Sequence, residues 1–421
     1  MSSTAAATTG TAASATTGGG LHSRRHGVRI VAALAITQTI GYGVLYYAFS
    51  VFLLPMAADL GAGAAQIAAA LTISVLVSAL CAPPAGRHLD ARGGRGLMSA
   101  GSVLGTIAVL AWSQVHTLIQ LYAVFAVIGV ASAMVLYQSA FAVIVAWFDG
   151  QARGRANALL ALTVVAGFAS TIFLPLSGLL VEHFGWRQAL VILALVYGAA
   201  AIPLHALVLR RRERTARAPA AAEQRAAIVG HAIRARPFWL LVAAFTANGG
   251  AAATVAVLLV GYLIHLGHPP VLAATLAGLL GVLSVTGRLL TTGLQTRLPA
   301  ALIAAALFAL QSVAAALLPL AGRTVAGAVG CVLGFGLGFG IASITLPHLI
   351  VDRYGTTAYA TMSGRIAMFS VAAKAAAPLG ALTLAQAAGY SGVMAAVAVG
   401  CAIAAVALTT YHHIPFREAS K

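Results

Sequence analysis

The sequence predicts an all-α membrane protein of twelve transmembrane helices in two six-helix pseudo-symmetric bundles. Three observations predict it. Of 421 residues, 61% are apolar and only 8% are charged, against about a quarter charged in an ordinary soluble domain. The apolar residues fall into twelve runs long enough to cross a bilayer. A proline–glycine pattern in the fifth run recurs in the eleventh. A mean hydropathy of +0.95 excludes a soluble globular enzyme and a disordered chain, since both need far more polar surface.

The twelve segments span 29–55, 66–85, 97–114, 118–147, 157–181 and 188–209, then 237–265, 271–293, 299–321, 324–348, 358–386 and 391–411. Each unit holds about 30 residues, a spanning helix of about 20–25 plus a short loop. Glycine and proline inside them are tolerated in membrane helices. Residues 1–28 read as a disordered Ala/Thr/Ser/Gly tail without a cleavable signal pattern. Residues 29–209 form the first bundle and 237–411 the second. The Arg-rich linker 210–236 is expected to be partly helical and to face anionic lipid. Residues 412–421 form a second tail.

Charge sets the orientation. Twenty of the 25 Lys and Arg fall in the tails, the linker and alternate loops, among them Arg87, Arg92, Arg95, Arg153, Arg155, Arg297 and Arg353. The opposite loops hold Arg187 and Arg323. That asymmetry predicts a plasma-membrane protein with both termini cytoplasmic and an even number of spans. The net charge of +17 does not point to nucleic acid, because the basic residues lie between apolar runs. Cys81, Cys331 and Cys401 all sit within apolar segments and have neither metal nor disulfide spacing. No metal, cofactor or catalytic motif is expected, so the chain is not read as an enzyme.

Pro175, Ser177 and Gly178 close segment five before Gly185 and Trp186. Pro378 and Gly380 close segment eleven before Gly389 and Tyr390. Six helices, a basic linker and six more make two parallel repeats around a central site, which permits a monomer.

The loop between segments two and three carries Gly86, Asp90, Gly93 and Arg95 at the spacing Gly-x-x-x-Asp-x-x-Gly-x-Arg. With Phe184, Gly185, Trp186 and Arg187 in the loop between segments five and six, it resembles the major facilitator superfamily. His88 and Ala91 depart from that family's loop pattern, and its second copy keeps Gly293 but has Arg297 in place of the acid. The resemblance implies a gate made of Gly86, Asp90, Gly93 and Arg95. Asp90 is suited either to cap a helix start or to pair with Arg153 or Arg155 on the next basic loop. Such a latch favours the outward-open state.

The cargo is read from an absence. All eight acids, Asp59, Asp90, Asp149, Glu182, Glu213, Glu223, Asp352 and Glu418, lie at helix ends, in loops or in tails. Lys374 lies in the middle of segment eleven and Arg288 in the inner third of segment eight. A cation at the bilayer centre costs about 2.5–3.5 kcal/mol by insertion scales. With no acid at that depth to offset it, the counter-charge is expected to be an anionic cargo. Ser363, Ser370 and Lys374 share one helix face, whereas Arg365 points away. Arg288 shares a face with Ser284, and snorkelling towards water is its alternative. Gln38, Tyr42 and Tyr46 recur at i, i+4, i+8 in segment one, with Tyr47 beside them. With Tyr137, Gln138 and Asn248 they either line the cavity or bond between helices.

A basic residue on segment eight, another on segment eleven and a tyrosine-rich first segment are similar to the oxalate/formate antiporter and monocarboxylate transporter families. That resemblance implies that Arg288 and Lys374 bind a carboxylate and that Tyr42 and Tyr46 line its pocket. The carboxylate of the animal monocarboxylate carriers is missing, with Val282, Leu283 and Ser284 in its place. This leaves anion exchange, or a proton entering with the substrate. The expected function is secondary transport of a small organic anion, a monocarboxylate first. The alternative is multidrug or other small-molecule efflux, which usually relies on a membrane acid and on a glycine-proline pattern that Leu174, Pro175 and Gly178 match poorly.

Overall fold

The computed structural model describes residues 15–209 and 218–415. Among them there are α-helices, two five-residue π-helical segments and no strand. Ten helical runs are long and apolar enough to cross a membrane. Crossing one is His26–Asp59, two Ala64–Arg92, three Gly94–Trp112 and four Leu118–Trp147. Crossing seven is Arg236–His265, eight Val271–Leu294, nine Ala300–Ala321 and ten Val325–Tyr354.

The other two runs, Ala152–Val208 and Tyr359–His413, hold 57 and 55 residues. An unbroken helix of that length would measure about 80–85 Å, against about 30 Å of hydrocarbon. Each is divided by one glycine outside helical geometry: Gly185 at φ 73°, ψ 163° and Gly389 at φ 71°, ψ 174°. Crossings five and six lie either side of Gly185, and eleven and twelve either side of Gly389. The count is therefore twelve, and the two glycines sit at the repeat spacing visible in the sequence. That backbone region is essentially closed to other residues. Gly185→Ala and Gly389→Ala are each expected to destabilise by about 1–3 kcal/mol. Thermal unfolding in detergent checks this, and an unchanged midpoint in either variant would contradict it.

Helix starts are marked by local chemistry. The Thr117 hydroxyl accepts from the Gln120 N–H at 3.3 Å before crossing four, and Thr324 accepts from Gly327 at 3.1 Å before crossing ten. Both satisfy an orphan donor of the first turn. The first helix begins at Ala15, so the part of the expected disordered tail from 15 to 28 is helical. That stretch holds four glycines and one alanine, so its helix is propagated from the nucleated bundle helix and not favoured by its own residues. Residues 1–14 of that tail, 210–217 of the linker and 416–421 lie outside the described residues. The rest of the linker is the helix Ala218–Arg234. His412 and His413 extend crossing twelve into the expected second tail.

The apolar core is split unevenly. One cluster packs Phe49, Phe52, Trp112 and Phe125 within the first half, and another packs Tyr262, Leu276, Phe335 and Met394 within the second. The third lies at the end carrying the basic loops and draws on both halves, joining Leu34, Phe141 and Leu159 to Phe238, Phe308 and Tyr359. The halves are thus fused at the basic end and keep separate cores at the other. At that other end Arg187 ties the first half together, donating to Asp59 and to the Ser113 and Val115 carbonyls at 2.8 Å each.

Candidate functional site

Three crossings are interrupted in mid-membrane, crossing five at Gly167 and Phe168 between Ala166 and Ala169. Crossing four loses helical geometry at Leu136 (φ −80°, ψ −167°). Crossing ten breaks after Phe339, where helix resumes at Ala342. Leu136 and Gly340 occupy matching places in the two repeats. Each break frees backbone carbonyls, which must find donors in a low-dielectric interior. Gln38 Nε2 donates to the Val135 carbonyl at 2.7 Å, and Arg288 Nε to the Gly340 carbonyl at 3.1 Å. Arg288 also reaches the other half of the molecule, with Nη1 donating to the Thr163 carbonyl at 3.1 Å. It is half-buried and bridges the repeats instead of extending to the helix end. A Cβ on Gly340 would overlap the Ser284 hydroxyl and approach Arg288 Nε to 2.8 Å, so the break itself shapes the guanidinium's seat.

The tyrosines gather beside it. Gly43–Tyr47 is π-helical, and the extra residue per turn rotates Tyr47 towards Tyr42 and Tyr46. Ring centroids are 6.5 Å apart for Tyr42–Tyr46 and Tyr42–Tyr47, and 5.3 Å for Tyr46–Tyr47. Tyr42 also packs on Tyr137, at 4.6 Å, just past the break in crossing four. Tyr47 and Tyr137 lie within electrostatic range of Arg288. Tyr46 remains 41% exposed.

Lys374 lies on a face fixed by its neighbours. One face of crossing eleven meets the first half: the Ser363 hydroxyl donates to Gln138 Oε1 at 2.7 Å, and a Cβ on Gly364 would overlap the Ala82 carbonyl. Lys374 falls about 20° from Ser363 in helical projection. Its stem runs along Gly249 of crossing seven, whose absent Cβ would stand 3.2 Å from Lys374 Cε. Lys374 keeps accessible surface on that face. Among the described residues its ammonium has no hydrogen bond or ion pair. The two ion pairs there, Arg155–Asp352 and Arg187–Asp59, lie at the membrane ends.

Other expected site residues are placed differently. Asn248 is 2% exposed and donates to Gln311 Oε1 at 2.8 Å, while Gln311 donates to the Phe335 carbonyl. It is an interhelical bond within the second bundle and does not line the cavity, because a buried amide takes the nearest partner that satisfies it. Gln38 is fully buried at the break in crossing four, and its Oε1 has no partner among the described residues. Ser370 is buried with its hydroxyl turned to the Ala367 carbonyl of its own helix. Arg288 and Lys374 are seated separately, the first on Gly340 and Thr163, the second along Gly249. Thr163 and Gly340 belong to the arrangement but were not singled out by spacing, and Tyr47 stood only as the neighbour of Tyr46. The run Gly334, Gly336, Gly338, Gly340 is the signal for a weak point in crossing ten.

At the basic end Asp90 joins crossing two to crossing eleven. Its carboxylate accepts from the Ala360 N–H at 3.0 Å and the Thr361 N–H at 2.7 Å, capping the first turn of crossing eleven from across the repeat interface. Of the two candidate roles, Asp90 fills that of helix cap. Arg155 is buried and stands 3.9 Å from Asp352 at the end of crossing ten, while Arg153 is exposed. A Cβ on Gly86 would overlap the Ala360 carbonyl, so crossings two and eleven touch backbone to backbone. Gly93, at φ 78°, ends crossing two. With Asp90, Arg95, Asp149 and Tyr359 it lines a cavity of about 310 Å³ at this end. Hydrogen bonds and ion pairs between the halves, among the described residues, run from this end to mid-membrane, and the far half contributes none.

No curated protein matches the chain significantly in sequence. Among solved structures, the fucose:proton symporter FucP of E. coli is similar. A major facilitator transporter structure, FucP in the outward conformation, has TM-score 0.71 and 14% identity, covering 90% of this chain and 98% of that one. A single-substitution variant of the E. coli FucP has TM-score 0.69, with 14% identity and the same coverage. The human organic anion transporter MFSD10 has TM-score 0.63 and 14% identity over 92% of this chain and 99% of that one. At such identity these likenesses speak for the fold. The Major Facilitator Superfamily model matches residues 31–378, most of both repeats, and the chain belongs to that superfamily of multi-pass membrane transporters.

Proposed function

We propose that the chain is a secondary transporter moving a small organic anion, a monocarboxylate first, across the cytoplasmic membrane by alternating access. The observation that carries this reading is Lys374. It is an accessible mid-membrane ammonium on the repeat-facing side of crossing eleven, without a carboxylate partner among the described residues. An anion entering from the open end meets this charge first, and its carboxylate supplies the missing mate. Arg288, already bridging the repeats through two carbonyls, offers its remaining N–H donors, and Tyr42, Tyr46 and Tyr47 wall the space beside it. The basic end then faces the cytoplasm, with both termini inside and anionic lipid against the linker. The protein works as a monomer, and a proton or a counter-anion completes the cycle. Fold likeness does not choose the cargo, since the similar structures include both a sugar symporter and an organic anion transporter.

The test is counterflow in proteoliposomes with labelled formate, oxalate, lactate, pyruvate and inorganic oxyanions. Saturable exchange of one or more anions is expected. Exchange of none, with accumulation of cationic dyes that follows the proton gradient, would replace this reading with drug efflux.

A further inference from the structure

Crossing ten holds a buried titratable group that the cargo site does not use. As a single histidine near a basic loop, His348 reads in the sequence as a plain polar cap. In the structure it is 9% exposed and lies inside the helix Ala342–Tyr354, one turn before Asp352. Its Nδ1 is 2.6 Å from the Ile344 carbonyl. A carbonyl only accepts, so Nδ1 carries the hydrogen and Nε2 presents a lone pair. Two other histidines are buried: His268 lies at the opposite end of the membrane, with Nε2 on the Gly322 carbonyl at 2.6 Å, and His205 has both ring nitrogens engaged, by Ser102 at 2.7 Å and Thr37 at 3.0 Å. Among the buried histidines at the basic end and in mid-membrane, His348 is the one with a ring nitrogen left to protonate.

Its surroundings link it to the junction of the repeats. On its own helix stand Asp352, Arg353 and Tyr354. Crossing five, packed against this helix, brings Arg155, which is 3.9 Å from Asp352. Crossing nine brings no titratable side chain along Ala300–Ala321, and crossing seven brings Arg236 at its start. Crossings eleven and twelve bring the phenols of Tyr359 and of Tyr411, which donates to the Leu349 carbonyl at 3.0 Å. The full charges acting on His348 are Asp352 from the second half and Arg155 from the first. Arg155 Nε has no hydrogen-bond partner among the described residues, so its hold on Asp352 is loose.

We infer that His348 is a proton-binding site, and that a proton taken up on Nε2 weakens the Arg155–Asp352 link and favours parting of the basic end. The imidazolium formed has an unchanged Nδ1–H bond to Ile344. It stands at i, i+4 from Asp352, where it competes for the carboxylate, and it repels Arg155. No other bond is made or broken. This inference goes beyond the cargo assignment and needs only that the basic ends part.

The experiment uses the full chain in proteoliposomes, with Cys81, Cys331 and Cys401 replaced by alanine. Spin labels are placed at the exposed Gln151 and Thr296, one in each half. Distances are measured without cargo while the medium is taken from about pH 8 to about pH 5.5. The expected result is a rise of about tenfold or more in the ratio of parted to joined populations, absent in His348→Gln. Asp352→Asn, which keeps the histidine, is expected to lose the pH response as well, and it serves if His348→Gln does not insert. A wild-type protein with no pH response, or either variant responding like the wild type, overturns the inference. Failure of anion counterflow would instead remove the cargo assignment and leave this distance response as expected.

Discussion

Lys374→Ala is expected to lose anion exchange by about 30–1000-fold while inserting and folding normally. The range follows from truncating one partner of a desolvated charge pair, about 2–4 kcal/mol. Stability should not fall in step, because among the described residues the ammonium has no partner to orphan and its stem packs on Gly249. Lys374→Arg should recover part of the activity, since it returns the charge with a different fork of donors. Arg288→Ala is expected to lose both transport and some stability, because it leaves the Gly340 and Thr163 carbonyls without their donor. Counterflow rates paired with detergent melting curves separate the two effects. Equal loss of stability and activity in Lys374→Ala would argue for a purely structural lysine.

Asp90→Ala should have the largest effect on conformation. It removes the ionised carboxylate that accepts hydrogen bonds from the Ala360 and Thr361 amides. Each such bond contributes about 1.5–3 kcal/mol. Both cross the repeat interface, so their loss falls on the state with the basic end shut. A shift of about 3 kcal/mol or more moves the equilibrium more than a hundredfold towards a parted basic end. Labelling of a cysteine introduced at Ser363 reads this: its hydroxyl bonds Gln138 across the halves and becomes reachable only when they separate. Unchanged labelling in Asp90→Ala would show that the apolar cluster alone holds this end closed. Gly86→Val provides a second route to the same state, by overlapping the Ala360 carbonyl.

Much of the architecture was legible because membrane constraints are one-dimensional. Apolar run lengths gave twelve crossings. The recurrence of Gly185 at Gly389 marked the repeat, and both glycines proved to be the break points of the longest helical runs. The mid-membrane cations stood out because so few charges are present. What the sequence could not show was every departure from the straight helix. Spacing at i, i+4, i+8 joined Gln38 to Tyr42 and Tyr46, but the π-helical turn at Gly43–Tyr47 brings in Tyr47. Gln38 instead satisfies a carbonyl exposed by the break at Leu136. Asn248 looks the same in sequence whether it faces a cavity or Gln311, since the partner lies 63 residues away on another helix. Asp90 had two chemically sound partners, and only the packing of crossing two on crossing eleven selects the amides.

The central claim is that an anion supplies the charge absent around Lys374. Its most direct measurement is the thermal shift that each small carboxylate gives purified wild-type protein and Lys374→Gln at constant ionic strength. A ligand present at about one hundred times its dissociation constant stabilises the folded state by about 2.7 kcal/mol. The account predicts a clear upward shift in the wild type and none in Lys374→Gln. Equal shifts in both proteins would contradict it.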